Sequence, residues 1–276
     1  MKIVISGLGI IGGSFAKALK KYTDNSIIGI NRSRQPLEAA LQCGAIDEIG
    51  DASSLEDADM LILGTFPRAA VDFVRANAER IPSKCLVIDS CGIKSEICPE
   101  LKALSEEYGF VFVGCHPMAG KETNGFVSAE ADLFVGASCI LVPCGADDKA
   151  VEKVAGLMKK LQFGQVICTD PEHHDRMIAF TSQIPHVLAC AYVMSPACPE
   201  HNGYSAGSYR DVSRVARINE KLWAELFIEN REALMKELDT LMENINNIRT
   251  ALSKCDRQEL EQLLAKSRQV KEALGE

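Results

Sequence analysis

A glycine-rich turn close to the N-terminus constrains the fold of this chain more than any other feature. The apolar segment Lys2–Ser6 leads directly into Gly7-Leu-Gly9-Ile-Ile-Gly12, and an amphipathic helical pattern begins at once. In such a strand–turn–helix unit, the first glycine permits the tight turn, the second lets the backbone approach a pyrophosphate, and the third lets the helix pack on the strand. The phosphates bind the unpaired N–H groups at the positive end of the helix. Because a second apolar segment, Ile27–Ile30, follows at the expected spacing, the sequence predicts a dinucleotide site rather than a purely structural turn.

Length and composition narrow the class of protein. The 276 residues suffice for two domains, and a hydrophobic content of 47% is ample for their cores. A net charge of −8 argues against binding to nucleic acid or to an anionic membrane, and no apolar run is long enough to span a bilayer. Eleven cysteines are scattered without metal-ligand spacing, which predicts reduced thiols, no bound metal and a cytoplasmic protein. Cys85, Cys139 and Cys168 are expected to be buried strand residues.

Short apolar runs alternate with helical patterns through the first half of the chain. This pattern predicts an α/β fold with a doubly wound, mostly parallel sheet over residues 1–169, because the runs are apolar on both faces. From residue 170 to residue 276 the chain is predicted to be helical. The predicted strands are Lys2–Ser6, Ile27–Ile30, Met60–Gly64, Cys85–Asp89, Val111–Gly114, Cys139–Val142 and Gln165–Cys168.

One helical segment carries a strict four-three spacing of apolar residues, which is typical of a seam between two helices. The seam either closes a bundle within the chain or joins two copies of it, and we favour a dimer. Its members are Leu234, Leu238, Leu241, Ile245, Ile248 and Leu252.

Candidate catalytic residues follow the predicted strands, because ligands of such sheets bind at the carboxyl ends of the strands. His116 is the candidate base, since histidine accepts protons near neutral pH. Lys94 is a candidate general acid or anion clamp, or else a solvated surface residue. Thr65-Phe66-Pro67 is expected to line the cofactor channel.

Three polar clusters lie in the helical half. His173 and His174 could bind a metal, but adjacent histidines point in different directions, so helix capping is the favoured interpretation. The segment from Ser182 to His186 contains Pro185, which predicts a kink beside a site. The last cluster contains Arg210 and Arg214, one helical turn apart; they either grip carboxylates or pair with nearby acids such as Asp211.

Together these motifs resemble the prephenate/arogenate dehydrogenase family of tyrosine biosynthesis. The likeness extends in order from residue 1 to about residue 230, and His116-Pro-Met-Ala-Gly120 with Tyr209-Arg-Asp-Val-Ser-Arg214 is its most specific part. The resemblance implies a Rossmann domain followed by a helical dimerisation domain, in a homodimer. It also implies oxidative decarboxylation of prephenate or arogenate, with hydride transfer to NAD(P)+. At this length we expect no additional mutase or regulatory domain.

The resemblance also implies roles for individual residues. His116 matches the histidine that takes the hydroxyl proton of the substrate, His186 a second histidine beside the substrate, and Arg214 an arginine that holds a carboxylate. The further substrate-binding candidates are Lys94, Lys121, Glu122, Ser182 and Arg210. The cofactor-binding candidates are Gly7, Leu8, Gly9, Ile10, Ile11, Gly12, Asn31, Arg32, Ser33, Arg34, Thr65 and Asp89.

Two positions depart from the family pattern. Gly92 stands where a serine commonly orders the histidine and the substrate hydroxyl, so that Ser90 or a water would have to substitute. Lys121 stands where a small hydroxyl residue is common, and it would add a positive charge near the substrate.

The end of the second predicted strand bears on the choice of cofactor. An acidic residue there would bind the ribose 2′-hydroxyl of NAD, but the chain has Asn31-Arg32-Ser33-Arg34. The arginines and the serine favour NADP over NAD, although Asn31 can also bind a ribose hydroxyl.

Three other functions are compatible with parts of the sequence. A β-hydroxyacid dehydrogenase shares the layout but relies on a lysine in the helical domain, and the sequence has no comparable lysine beside a polar helix motif. A non-catalytic NAD(P)-sensing dimer shares the fold but does not need His116, His186 and Arg214 together. A metal enzyme would use His173 and His174.

Overall fold

The computed structural model describes residues 1–121 and 123–275. Its centre is one eight-stranded sheet with the strand order β3-β2-β1-β4-β5-β6-β7-β8. In the part of the chain described, neighbouring strands run parallel except for β6 and β7, which are antiparallel. The strands are β1 (Lys2–Ser6), β2 (Ser26–Ile30), β3 (Glu48–Ile49), β4 (Met60–Leu63), β5 (Leu86–Asp89), β6 (Val111–Pro117), β7 (Ser138–Val142) and β8 (Gln165–Cys168).

Helices cover both faces of this sheet. Successive strand residues point to opposite faces, so Ile3 and Ile5 enter one apolar core whereas Val4 enters another. Both faces are therefore buried, which explains the continuous apolar runs of the sequence. The helices are α1 (Ile10–Tyr22), α2 (Arg34–Gln42), α3 (Pro67–Asn77), α4 (Ile97–Tyr108), α5 (Asp148–Lys160), α6 (Pro171–Ile178), α7 (Ile184–Val193), α8 (Gly207–Ser213), α9 (Glu220–Glu229), α10 (Arg231–Ser253) and α11 (Arg257–Ala273).

The predicted mostly parallel sheet and the helical second half are confirmed, with four differences. The strand that carries His116 extends to Pro117, because its last residues pair with β7. The two-residue strand β3 was not predicted, since so short a segment has no periodicity to detect. Cys85 and Cys139 are buried as expected, but Cys168 is exposed because β8 lies at the edge of the sheet. Before Pro185 the structure has a π-helical turn, Ala179–Gln183, where the sequence predicted a kink.

The chain divides into two compact units, Met1–Asn230 and Arg231–Glu276. In the second unit, α10 and α11 pack against each other across a short turn, and Asp256 caps α11 by accepting a hydrogen bond of 3.0 Å from the Glu259 amide. Within the seam on α10, Leu234 is buried, whereas Ile245 is 48% and Leu252 58% exposed. Among the described residues, no helix has the length and apolarity needed to cross a membrane.

Candidate functional site

A cavity of about 670 Å³ opens at the carboxyl ends of the central strands, within the first unit. Three groups of residues line it. The first comes from the glycine turn and the ends of β4 and β5, the second from β6 and the loop after it, and the third from the helical segments between Ile178 and Leu226. Its lining includes Gly9, Ile10, Ile11, Thr65, Gly92, His116, Lys121, Ser182, His186, Arg214, Arg217 and Trp223.

The glycine turn has the geometry that the sequence predicts. Gly7 adopts a φ of +95°, which disfavours any residue with a side chain. A Cβ on Gly12 would lie 1.9 Å from the Gly7 carbonyl oxygen, so only glycine fits where the helix meets the strand. Gly9, the N-cap of α1, has no side-chain cap, and a Cβ on it would meet nothing within 4 Å. The first amides of α1 therefore border open space, as pyrophosphate binding requires.

Two residues beside this turn extend the cofactor region. Thr65 follows β4, and its hydroxyl oxygen is buried without a hydrogen-bond partner among the described residues. Asn31 follows β2; its side-chain oxygen accepts a hydrogen bond from the Leu8 amide (3.0 Å), and its amide nitrogen donates to the Ser33 carbonyl (2.9 Å). The oxygen of Asn31 therefore stabilises the glycine turn, and its nitrogen stabilises the segment that follows β2.

His116 faces the cavity from the end of β6. Its Nδ1 lies 2.9 Å from Nε2 of His174, whereas its Nε2 has no hydrogen-bond partner among the described residues. Burial, together with the charges of His174 and Lys94, holds the pKa of His116 well below its usual 6.5. At neutral pH the ring is therefore uncharged, with one nitrogen directed to the cavity.

A buried network stands behind His116. Nδ1 of His174 lies 2.6 Å from Oδ1 of Asp175, whose two carboxylate oxygens accept hydrogen bonds from the amides of Lys94 (2.8 Å) and Ser95 (2.7 Å). Helix capping was the favoured interpretation of His173 and His174 from the sequence. The cap is instead Asp170, whose side chain accepts from the His173 amide at 2.7 Å. His174 and Asp175 turn inward because they lie on the face of α6 that packs on the loop after β5.

Lys94 and Asp89 form a fully buried ion pair below the cavity. The lysine ammonium also donates to the carbonyls of Cys91 (3.0 Å) and Cys115 (2.8 Å), while Asp89 accepts from the amides of Cys91 and Cys115. Burial alone would lower the pKa of Lys94, but the Asp89 carboxylate raises it above its ordinary value. Neither residue lines the cavity. The structure thus differs from the expectation of a substrate contact for Lys94 and a cofactor contact for Asp89, since their polar atoms are used internally.

The helical wall of the cavity carries His186 and Arg214. Nδ1 of His186 donates to the Ser182 carbonyl at 2.8 Å, and the ring stacks on Trp223 with their centroids 3.7 Å apart. Arg214 lies in the turn that follows α8 and lines the cavity, whereas Arg210, on α8 itself, does not. Of the two interpretations of this arginine pair, a joint grip on a carboxylate in the cavity is not supported, because only Arg214 lines the cavity.

Residues that sequence analysis missed complete this wall. Trp223 and Arg217 both line the cavity. Trp223 is the only tryptophan of the sequence, which was the one signal available for it. Arg217 lies three residues after Arg214, so that an arginine spacing counted from Arg214 rather than from Arg210 would have found it.

The two positions that depart from the family pattern, Gly92 and Lys121, both line the cavity. A Cβ on Gly92 would lie 3.9 Å from Nε2 of His116, so a serine hydroxyl there would reach that nitrogen. Ser90 does not substitute, because its hydroxyl donates to the Leu63 carbonyl at 2.9 Å. Lys121 borders the cavity and forms an ion pair with Glu130. Glu122 lies outside the described residues.

The two histidines of α6 do not share a ligand position. His173 is exposed and contacts Arg176 through Nδ1 at 2.7 Å, whereas His174 points into the protein. Among the described residues, no group of three histidine, cysteine, aspartate or glutamate side chains is placed to hold a metal ion.

Comparison with known proteins agrees with this architecture. Residues 15–167 match the family model "Prephenate dehydrogenase, nucleotide-binding domain", and residues 170–266 match "Prephenate dehydrogenase, dimerization domain". A prephenate dehydrogenase of Bacillus subtilis is 31% identical over 94% of this chain and 72% of its own length. A cyclohexadienyl dehydrogenase of Zymomonas mobilis is 30% identical over 92% of this chain and 89% of its own length.

Two solved structures share the whole fold. Prephenate dehydrogenase from A. aeolicus, in complex with hydroxyphenyl propionate and NAD+, superposes with a TM-score of 0.87 at 25% identity and covers 99% of this chain and 98% of its own. Synechocystis arogenate dehydrogenase superposes with a TM-score of 0.84 at 25% identity and covers 99% of this chain and 100% of its own. The chain therefore belongs to the prephenate dehydrogenase family, and it is a nicotinamide-dependent oxidoreductase that carries out oxidative decarboxylation of prephenate or arogenate in tyrosine biosynthesis.

Proposed function

We propose that His116 is the catalytic base of this reaction. One observation carries the proposal: the uncharged ring presents Nε2 to a cavity that the cofactor-binding turn and Arg214 also line. The 4-hydroxyl proton of the substrate passes to that nitrogen as the ring carbon loses its hydride and carbon dioxide departs. When bound, the nicotinamide cofactor supplies the hydride acceptor. Because aromatisation provides the driving force, the protein's task is to position the substrate and to remove one proton.

Arg214 and His186 are proposed to hold the substrate. A guanidinium suits a carboxylate because it can donate two parallel hydrogen bonds. Nδ1 of His186 donates to the Ser182 carbonyl, and the ring lines the cavity beside Arg214. The stack on Trp223 holds the ring in place. Ser182 contributes backbone support, and Lys121, which pairs with Glu130, borders the cavity.

The recognition of a 2′-phosphate, and hence a preference for NADP, is also proposed. Arg32, Ser33 and Arg34 are exposed after β2 and include no acidic residue, and Arg34 pairs with Glu38 one helical turn later at 2.8 Å. Ser33 is the N-cap of α2 but makes no side-chain cap, so its hydroxyl can bind a phosphate. Asn31, the alternative ribose ligand, already uses its oxygen on the Leu8 amide and its nitrogen on the Ser33 carbonyl.

A four-way assay of the purified protein tests the substrate and the cofactor together. Prephenate and arogenate are each combined with NAD or NADP, and the formation of reduced nicotinamide is followed. We expect turnover, and the combination with the highest kcat/KM identifies both partners, with NADP the expected cofactor. Absence of turnover in all four combinations, while a nicotinamide cofactor still binds, would contradict the proposal.

A domain boundary between residues 169 and 170 is proposed, because the first family model ends at residue 167 and the second begins at residue 170.

A homodimer through the helical region is proposed as the assembly, because the second family model is a dimerisation domain. The half-exposed seam on α10 offers apolar surface to a second copy, and Met242, 58% exposed, adjoins it. Sedimentation equilibrium measures the mass in solution, and a monomer at micromolar concentration would exclude the dimer.

The two arginines of the Tyr209–Arg214 segment give a matched pair of variants. Arg214→Ala is expected to raise KM for the substrate by about ten- to a hundredfold, because a charge-assisted hydrogen bond contributes on the order of 1.5–3 kcal/mol. Arg210→Ala, which removes an arginine that does not line the cavity, is expected to change KM little. Steady-state kinetics at saturating cofactor measure both. Equal effects of the two substitutions would mean that Arg214 acts structurally.

A further inference from the structure

Two residues behind His116 form a chain of close contacts with its ring. Asp175 contacts His174 through Oδ1 and Nδ1 (2.6 Å), and His174 contacts His116 through Nε2 and Nδ1 (2.9 Å). We propose that His174 and Asp175 are positioning residues that hold neutral His116 as the Nδ1–H tautomer, with the lone pair of Nε2 directed to the cavity. The inference rests on the proposed role of His116 as the base.

The direction of these hydrogen bonds follows from Asp175. Its carboxylate already accepts hydrogen bonds from two backbone amides, those of Lys94 and Ser95. Burial would raise the pKa of Asp175, but the hydrogen bonds from His174 and from Ser95 lower it below its ordinary value. An ionised carboxylate can only accept, so the proton between Asp175 and His174 belongs to Nδ1 of the histidine.

The protonation state of His174 fixes the direction of its hydrogen bond with His116. Its side chain is completely buried, and burial lowers its pKa although Asp175 opposes that effect. The ring is therefore neutral at pH 7 and carries a single proton, the one on Nδ1. Its Nε2 must accept, and the donor is Nδ1–H of His116. The remaining nitrogen of His116 is then unprotonated, which is the state that a base requires.

The charges around the chain of hydrogen bonds favour the same arrangement. His116 and His174 both lie near the Lys94 ammonium, whose charge opposes a second proton on either ring. The carboxylates of Asp175 and of Asp89, which pairs with Lys94, act in the opposite direction on His174, but burial and Lys94 outweigh them, so its pKa is lowered. If His174 carried two protons, Nδ1 of His116 would accept and Nε2 would hold the proton, and His116 could not act as a base.

Further hydrogen bonds immobilise the two residues. Asn230 donates to the Asp175 carbonyl at 2.9 Å and to Oε1 of Gln183 at 2.8 Å, and Gln183 donates to the Leu226 carbonyl at 3.0 Å. Asp175 is thus held by the loop after β5 on one side and by the end of α9 on the other. Little freedom remains for His174 to release His116.

Nitrogen-15 NMR of the imidazole rings tests the tautomer without any turnover. The chain has five histidines, and the resonances that disappear in His116→Asn identify that ring. Above pH 7 we expect a proton on Nδ1 of His116 in the wild-type protein and a shift of the proton towards Nε2 in His174→Leu. His173→Leu is the matched control, because that neighbouring histidine is exposed and its removal leaves the His116 resonances in place. A wild-type His116 protonated on Nε2, or an unchanged tautomer in His174→Leu, would overturn the inference.

Kinetics supply the second readout. His174→Leu is expected to lower kcat by about ten- to a hundredfold with cofactor affinity retained, because nothing then fixes the tautomer of the base. His174→Gln restores an acceptor near the position of Nε2 and is expected to recover most of that loss. Equal losses in both variants would show a structural role only. Failure of the four-way assay would reject the proposed function, whereas the NMR experiment tests the tautomer independently of turnover. If His174→Leu does not fold, the tautomer of His116 is still determined in the wild-type protein and in His174→Gln.

Discussion

Replacement of His116 by asparagine is expected to lower kcat by about two to four orders of magnitude, the usual contribution of a general base. Asparagine places a polar group near the position of Nδ1 and can keep the contact with His174, but it offers no basic nitrogen to the cavity. Cofactor affinity should change little, because the cofactor-binding turn is formed by another segment. Steady-state rates and a cofactor titration measure the two quantities. A loss of less than about tenfold would remove His116 from the role of base.

The pH profile provides an independent check on the same residue. Burial and the charges of His174 and Lys94 keep the pKa of His116 well below 6.5, so the neutral, active form persists as the pH falls through 6.5. We therefore expect the acidic limb of kcat/KM to lie below 6.5, and we expect His116→Asn to lack it. A limb centred above 7 would contradict the described environment.

Replacement of Lys94 by methionine is expected to lower the free energy of unfolding by about 3–5 kcal/mol, the usual cost of leaving one partner of a buried ion pair unpaired. The substitution leaves the Asp89 carboxylate completely buried without its cation, and it orphans the carbonyls of Cys91 and Cys115. Urea denaturation without cofactor measures the change.

Two controls separate the ion pair from a general effect of methionine. Asp89→Asn combined with Lys94→Met removes both charges and should cost less than the sum of the single substitutions, since neither charge is then left alone. Lys102→Met removes an exposed lysine, 3.7 Å from Glu106, and should change stability little. If Lys94→Met were as stable as Lys102→Met, the pair would not stabilise the loop after β5.

The sheet was predictable because its signals are local. The boundaries of Lys2–Ser6 and Gln165–Cys168 agree with the prediction, and the other predicted strands differ mainly at their ends. Hydrophobic runs define such strands, since both faces of a parallel sheet are buried. The ends are less predictable, because pairing with a neighbour extends a strand: β6 continues to Pro117 through its antiparallel partner β7.

The site was predictable only in part. His116, His186 and Arg214 could be identified from strand-end position and motif, and all three line the cavity. Lys94 and Asp89 carry the same kind of strand-end signal, yet they form a buried ion pair behind the site. Position at the end of a strand indicates proximity to the ligand, but it does not indicate whether a side chain points towards the cavity or into the protein.

The nucleotide-binding turn, the succession of the main strands along the chain and three candidate residues that line the cavity, His116, His186 and Arg214, could be read from the sequence alone. These follow from glycine chemistry, from hydrophobic periodicity and from motifs that are contiguous in the chain. The position of His174 and Asp175 behind His116 could be seen only in the folded chain, because the contact of His174 with His116 joins α6 to β6 across 58 positions of sequence. Such contacts leave no periodic or spacing signal, since they depend on how a helix docks on the sheet rather than on the residues beside it in the chain.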